Sequence, residues 1–188
     1  MRINIVPIGC LLLIIYIVID IFRKKNSNIL KRIIFYSFIF YLINVFYFTT
    51  GGINIPPLRE EFRGVSFQLL PFRFLVDWIE IYNWIGFGWF FRNSVKLTSL
   101  NFIMLLPLGI YFPVLFNIKS VKKVALYTFL CSLIIESYQV VFSFFGFVYN
   151  RTFNVDDLLL NTLGGIAGYA FYKLYKQIMV KKNEIDLV

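Results

Sequence analysis

Apolar residues fall in five long runs along the 188-residue chain, at 3–22, 33–50, 98–117, 124–145 and 157–177. Each is about 20 residues long, the length a helix needs to cross a hydrocarbon core. A further stretch, 67–91 (FQLLPFRFLVDWIEIYNWIGFGWFF), is patterned differently. Its charges Arg73, Asp77 and Glu80 recur at steps of four and three, which places a polar stripe on an otherwise apolar helix. That pattern predicts an amphipathic helix lying in the membrane interface, with Trp78, Trp84 and Trp89 as an aromatic belt at headgroup depth. A span there would bring two carboxylates into hydrocarbon at about 2.5–3.5 kcal/mol each. Gly51-Gly52 and Pro56-Pro57 separate this helix from the second run. The predicted fold is an all-α polytopic membrane protein with about five transmembrane helices and an interfacial amphipathic helix in the long loop 51–97.

Composition agrees: 59% of residues are hydrophobic and the mean hydropathy is +0.73, far from a soluble domain. The net charge of +9 could suggest nucleic acid, but the basic residues sit between apolar runs, so they read as topology signals and no nucleic-acid partner is expected. Arg23, Lys24, Lys25, Lys31 and Arg32 mark one inner loop, Lys119, Lys122 and Lys123 a second, and Lys173, Lys176, Lys181 and Lys182 an inner tail. Five spans with the N-terminus outside and the C-terminus cytoplasmic leave most of the 19 Lys and Arg inside. A sixth span over 74–91 would leave most of them outside. The first run lacks the preceding basic residues and small-residue cleavage site of a signal peptide and reads as a retained helix. Cys10 and Cys131 lie in apolar segments as packing residues. The chain has no His, which removes imidazole bases and HExxH zinc sites; no metal and no cofactor are expected.

Polar residues inside the runs carry the candidate chemistry. Glu136 lies near the middle of the fourth run, where an ionised carboxylate must be paired, wetted or neutral. Ser132, Gln139 and Ser143 fall within about 60° of it on a helical wheel. The third run contains Asn101, then Pro107, which removes a backbone donor and predicts a bend, and Gly109. Residues 147–172 pass from a polar loop into an apolar helix. Asp157, Asn161, Gly164, Gly168 and Tyr172 share one side of that helix within about 60°. The GxxxG from Gly164 to Gly168 suits close helix packing, whereas Arg151, Asp156, Asp157 and Asn161 form a candidate polar site.

The order NxxxLxPxG (Asn101 to Gly109), ExxQ (Glu136 to Gln139) and RxxxxDDxxxNxxGxxxG (Arg151 to Gly168), preceded by Leu70-Pro71-Phe72, resembles the VanZ-like membrane protein family. The similarity covers roughly 35–175; Leu105 stands where the family usually has Phe. It divides the chain into an extra N-terminal transmembrane helix and basic cytoplasmic loop (1–34), a VanZ-like membrane domain (35–177) and a cytoplasmic tail (178–188). The resemblance implies a multi-pass protein of the plasma membrane in a Gram-positive bacterium. The founding member confers low-level resistance to teicoplanin, a lipoglycopeptide that binds cell-wall precursors, and no catalytic mechanism carries over from the family.

Three functions fit these residues. The first is a protein that binds or shields a lipid-linked cell-wall precursor or a lipoglycopeptide, with Arg151, Asp156 and Asp157 in an outward site and Asn101, Glu136, Gln139 and Asn161 behind it. Membrane lipids are partners in any case. The second is a small membrane enzyme acting on a lipid headgroup, with Glu136 or Asp157 as general acid/base, although no nucleophile is set apart by motif. The third is a structural partner or small transporter. Each residue also has a structural reading: Asp156 and Asp157 suit the first turn of a helix, and Asn101 and Asn161 suit interhelical hydrogen bonds.

Overall fold

The computed structural model describes residues 1–23, 28–60 and 64–185, with the side chains of 181–185 excepted. Lys24 and Lys25 of the basic loop, Arg63 of the long loop and the end of the expected tail therefore lie outside the described residues, as do the side chains of Lys181 and Lys182. The elements follow in the order β1 (Arg2–Ile3), α1 (Ile5–Arg23), α2 (Ile29–Thr50), β2 (Ile53–Asn54), β3 (Val65–Gln68), α3 (Arg73–Ile85), α4 (Trp89–Met104), α5 (Leu106–Leu115), α6 (Val121–Phe144), β4 (Arg151–Asn154) and α7 (Val155–Ile185). Among the described residues four helices are long and apolar enough to cross a membrane: α1, α2, the α4–α5 pair and α6. On α1, Leu11, Leu12 and Ile14 are each more than half exposed, apolar surface that lipid covers at no cost and water would not. The protein is an all-α polytopic membrane protein, with short strands in its loops.

The spans differ from the expected ones in detail. The second begins at Ile29 rather than 33, because the Asn28 side chain caps it by accepting from the backbone N–H of Leu30 and Lys31 at 3.1 and 3.4 Å. Lys31 and Arg32 are thus in the first turn of α2 and not in the loop. The third span is 27 residues, Trp89–Leu115, and takes in Trp89, which the sequence pattern assigned to the interfacial helix. It is broken at Leu105, with Pro107 at the start of α5. The fifth expected span, 157–177, falls within α7, which is 31 residues long. Asn161, three glycines and several tyrosines dilute its apolar character, and it lies outside the set of four.

The chain divides into two compact units, residues 1–67 with 135–153, and residues 68–134 with those from 154 onward. In the first, α1 and α2 form a hairpin held by Asp20. Its carboxylate accepts from Arg32 Nε at 2.9 Å and from the Tyr36 hydroxyl at 2.7 Å. β1 pairs antiparallel with β2, Arg2 opposite Asn54 and Ile3 opposite Ile53. β3 pairs with β4, and the Ser66 and Thr152 hydroxyls meet at 2.6 Å. Phe46, Tyr138, Phe142 and Phe147 form a continuous ring cluster, each contact 5.5–6.3 Å between centroids.

In the second unit, α7 packs against α4 and α5. The approach is at backbone distance. A Cβ on Gly164 would fall on the carbonyl of Phe102, one on Gly168 on that of Leu106, and one on Gly109 on that of Gly165. Only glycine permits these contacts. α3 is amphipathic and carries its own ion pairs, Arg73 to Asp77 at 2.9 Å and to Glu80 at 3.5 Å.

Candidate functional site

The residues singled out by the sequence divide between the two units. Asn101, Asp156, Asp157 and Asn161 belong to the second; Glu136, Gln139 and Arg151 belong to the first.

Asp156 is 2% exposed. One carboxylate oxygen accepts from the backbone N–H of Phe72 at 2.5 Å, the other from that of Phe74 at 3.0 Å and from Gln68 Nε2 at 3.3 Å. Phe72 is in the left-handed region at φ 64°, which costs an L residue about 1–2 kcal/mol. The carboxylate thus holds the Leu70-Pro71-Phe72 corner in place and anchors the start of α3. With both oxygens committed, Asp156 is a positioning residue. Asp157 accepts from Asn101 Nδ2 at 2.6 Å and from Asn154 Nδ2 at 3.2 Å, while Asn154 Oδ1 accepts from the Asp156 N–H at 2.9 Å and caps α7. Asn161, 1% exposed, donates to Ser132 Oγ at 2.8 Å, linking α7 to α6. Its Oδ1 is buried without a hydrogen-bond partner among the described residues, as is Thr128 Oγ1. Gly164 and Gly168 continue the same side of α7 as the packing notch described above.

Of the three tryptophans, Trp84 and Trp89 are 89% and 65% exposed. Trp78 is turned inward: its ring meets Phe74 edge-on at 5.2 Å, and its indole N–H is buried without a hydrogen-bond partner among the described residues. Helical spacing explains the split, since Trp78 lies one turn after Phe74 on the inner face of α3.

In the first unit Glu136 is 3% exposed. Gln139 Nε2 donates to the carbonyl of Thr49 at 2.6 Å, and the Thr49 and Tyr138 hydroxyls are hydrogen-bonded. The backbone N–H of Arg151 donates to Ser143 Oγ at 3.1 Å, and Ser143 Oγ donates to the Gly64 carbonyl at 2.7 Å. Gly51 ends α2 in the left-handed conformation, φ 67°, its N–H bonded to the Tyr47 carbonyl. A Cβ there would collide with Nη2 of Arg2 and come within 4.0 Å of Nη2 of Arg151. Two guanidinium groups therefore converge on one glycine. Arg2 is exposed, lies over the Tyr149 ring at 5.8 Å and makes no ion pair among the described residues.

Arg2, Thr49 and Tyr138 escaped the sequence reading. The signal for Arg2 was faint: a lone charge before α1, brought to Gly51 by a two-residue strand that no periodicity reveals. Among the described residues no three His, Cys, Asp or Glu side chains gather as a metal site.

The spans, the buried polar clusters and the glycine notch define a polytopic membrane protein with polar residues organised inside it. The chain belongs to the VanZ/LLP1 family, whose model matches residues 38–176. Comparison with curated proteins and with solved structures finds no match.

Proposed function

We propose that the protein is a non-catalytic component of a Gram-positive envelope that holds the anionic headgroup of a lipid-linked envelope molecule, such as a cell-wall precursor, and so shields it from lipoglycopeptides of the teicoplanin type. The observation that supports this reading is the convergence of Arg2 and Arg151 on Gly51. The guanidinium fork matches phosphate oxygens two at a time. Gly51 leaves room for the Arg2 guanidinium. In this reading the N-terminus and the loops 51–97 and 146–156 face outward, and the basic turns and the C-terminus face the cytoplasm of the plasma membrane. That bias keeps Lys and Arg inside, so a guanidinium pair held outside needs a further reason, and anion capture supplies one. Glu136, Gln139, Thr49 and Tyr138 form the polar floor that supports the site from within the same unit.

Expression in a teicoplanin-susceptible Gram-positive host tests this. The wild type is expected to raise the inhibitory concentration, Arg2→Ala and Arg151→Ala to abolish the gain at equal membrane levels, and Arg2→Lys to keep part of it. No gain from the wild type discards shielding. A headgroup species gained or lost in the lipid extract by mass spectrometry would replace it with the enzyme reading.

A further inference from the structure

The C-terminal half of α7 carries a feature that the guanidinium site does not use. An open cleft of about 630 Å³ is lined by Lys119, Tyr169, Tyr172, Lys173, Lys176 and Gln177, with Val180 at one end. We propose that this cleft binds the phosphate headgroup of an anionic membrane lipid. Among the described residues its lining contains three ammonium groups and no carboxylate, and none of the three lysines forms an ion pair. The frame is built rather than incidental. Tyr169, 4% exposed, donates its hydroxyl to the backbone carbonyl of Lys119, which fastens the turn between α5 and α6 to α7. Tyr172 stacks on Tyr169 at 6.4 Å one turn later, at the wall of the cleft. Lys173 and Lys176, three apart, rise along one side of α7 and face the same opening as Lys119.

The volume lies within the range of ligand sites, about 300–1,000 Å³, and exceeds what a single inorganic phosphate fills. The surroundings select the source. Leu174, Ile178 and Val180 of α7 are exposed, so a diacyl lipid seated by its headgroup would lay its chains along apolar helix surface. Basic clefts at the membrane boundary attract anionic lipid. Tyr172 and Gln177 add neutral donors for ester oxygens.

The full chain reconstituted in nanodiscs of phosphatidylglycerol or of phosphatidylcholine provides the test, read as thermal unfolding temperature. Phosphatidylglycerol is expected to raise it relative to phosphatidylcholine, and 1 M salt to remove the difference through screening. Lys119→Glu with Lys173→Glu and Lys176→Glu should abolish the shift, the three corresponding Arg replacements should keep it, and Lys122→Glu with Lys123→Glu, outside the cleft, should leave it intact. No shift in the wild type, or an equal loss in the Lys122/Lys123 control, overturns the proposal. A shift produced by glycerol phosphate in phosphatidylcholine discs, with none from phosphatidylglycerol, also overturns it and makes the ligand a soluble phosphate. All substituted side chains are at the surface, so the triple variant is expected to fold, which its unfolding temperature in phosphatidylcholine reports directly.

Discussion

Asn101 on α4 donates its amide to the Asp157 carboxylate on α7 at 2.6 Å. Two helices far apart in the chain are thereby joined by a charge-assisted hydrogen bond between the last turn of α4 and the first turn of α7, while glycines join them further along. A hydrogen bond to a charged group contributes about 1.5–3 kcal/mol. Asn101→Ala should lower stability by that order, read as the unfolding temperature in detergent. Asn101→Asp should be worse than alanine, because it sets a second carboxylate against Asp157; equal stability of the two variants would contradict the pairing.

Asp156→Ala should be more damaging than Asn101→Ala. It strands the Phe72 and Phe74 N–H groups, each at about 1–3 kcal/mol when buried and unpaired, and releases a backbone held at φ 64°. Adding Phe72→Gly should recover about 1 kcal/mol, since glycine adopts the left-handed region freely and the Phe72 ring is 57% exposed. Limited proteolysis near residues 70–75 measures the loosening. If Phe72→Gly deepens the defect instead, the carboxylate is not what holds that corner.

Gly164→Ala and Gly168→Ala should each cost about 1–3 kcal/mol through overpacking against backbone carbonyls that cannot rotate away. Gly88→Ala is the contrast. Its Cβ would find its nearest neighbour at 3.6 Å, and its cost should stay below about 1 kcal/mol. Folded yield in membranes separates the two classes.

How much of this was legible follows from the range of the interactions. The stripe Arg73, Asp77, Glu80 was legible because helix periodicity alone brings those side chains together, and they pair at 2.9 and 3.5 Å. The break in the third span was legible because Pro107 lacks a donor whatever surrounds it. The start of that span was not: Arg92, Asn93, Ser94 and Lys96 read as loop, yet they form the first turns of α4, where a helix leaving the interface tolerates them. Strands of two to four residues have no period to detect, so the pairing that carries Arg2 to Asn54, next to Gly51 and Gly52, was invisible. Asp156 was legible as a first-turn carboxylate, but its contacts with Phe72 and Phe74 depend on tertiary structure.

Asp20 supplies the last test, because its partners come from a different helix and no motif marks it. It is 8% exposed near the turn end of an apolar hairpin, and Arg32 and Tyr36 both reach the same carboxylate oxygen. Removing one member of such a pair takes away the attraction while the other charge keeps its desolvation cost, whereas removing both takes away that cost as well. Asp20→Leu alone and Arg32→Leu alone should therefore each lower the unfolding temperature, and the double replacement should restore much of the loss. The double variant being as unstable as the sum of the singles would mean that the two charges act independently. Tyr36→Phe adds a finer measure. It removes the neutral donor to Asp20 at 2.7 Å and an acceptor for Arg32 Nε at 3.1 Å, so its effect should be smaller than that of Arg32→Leu and should shrink when Asp20 is already Leu.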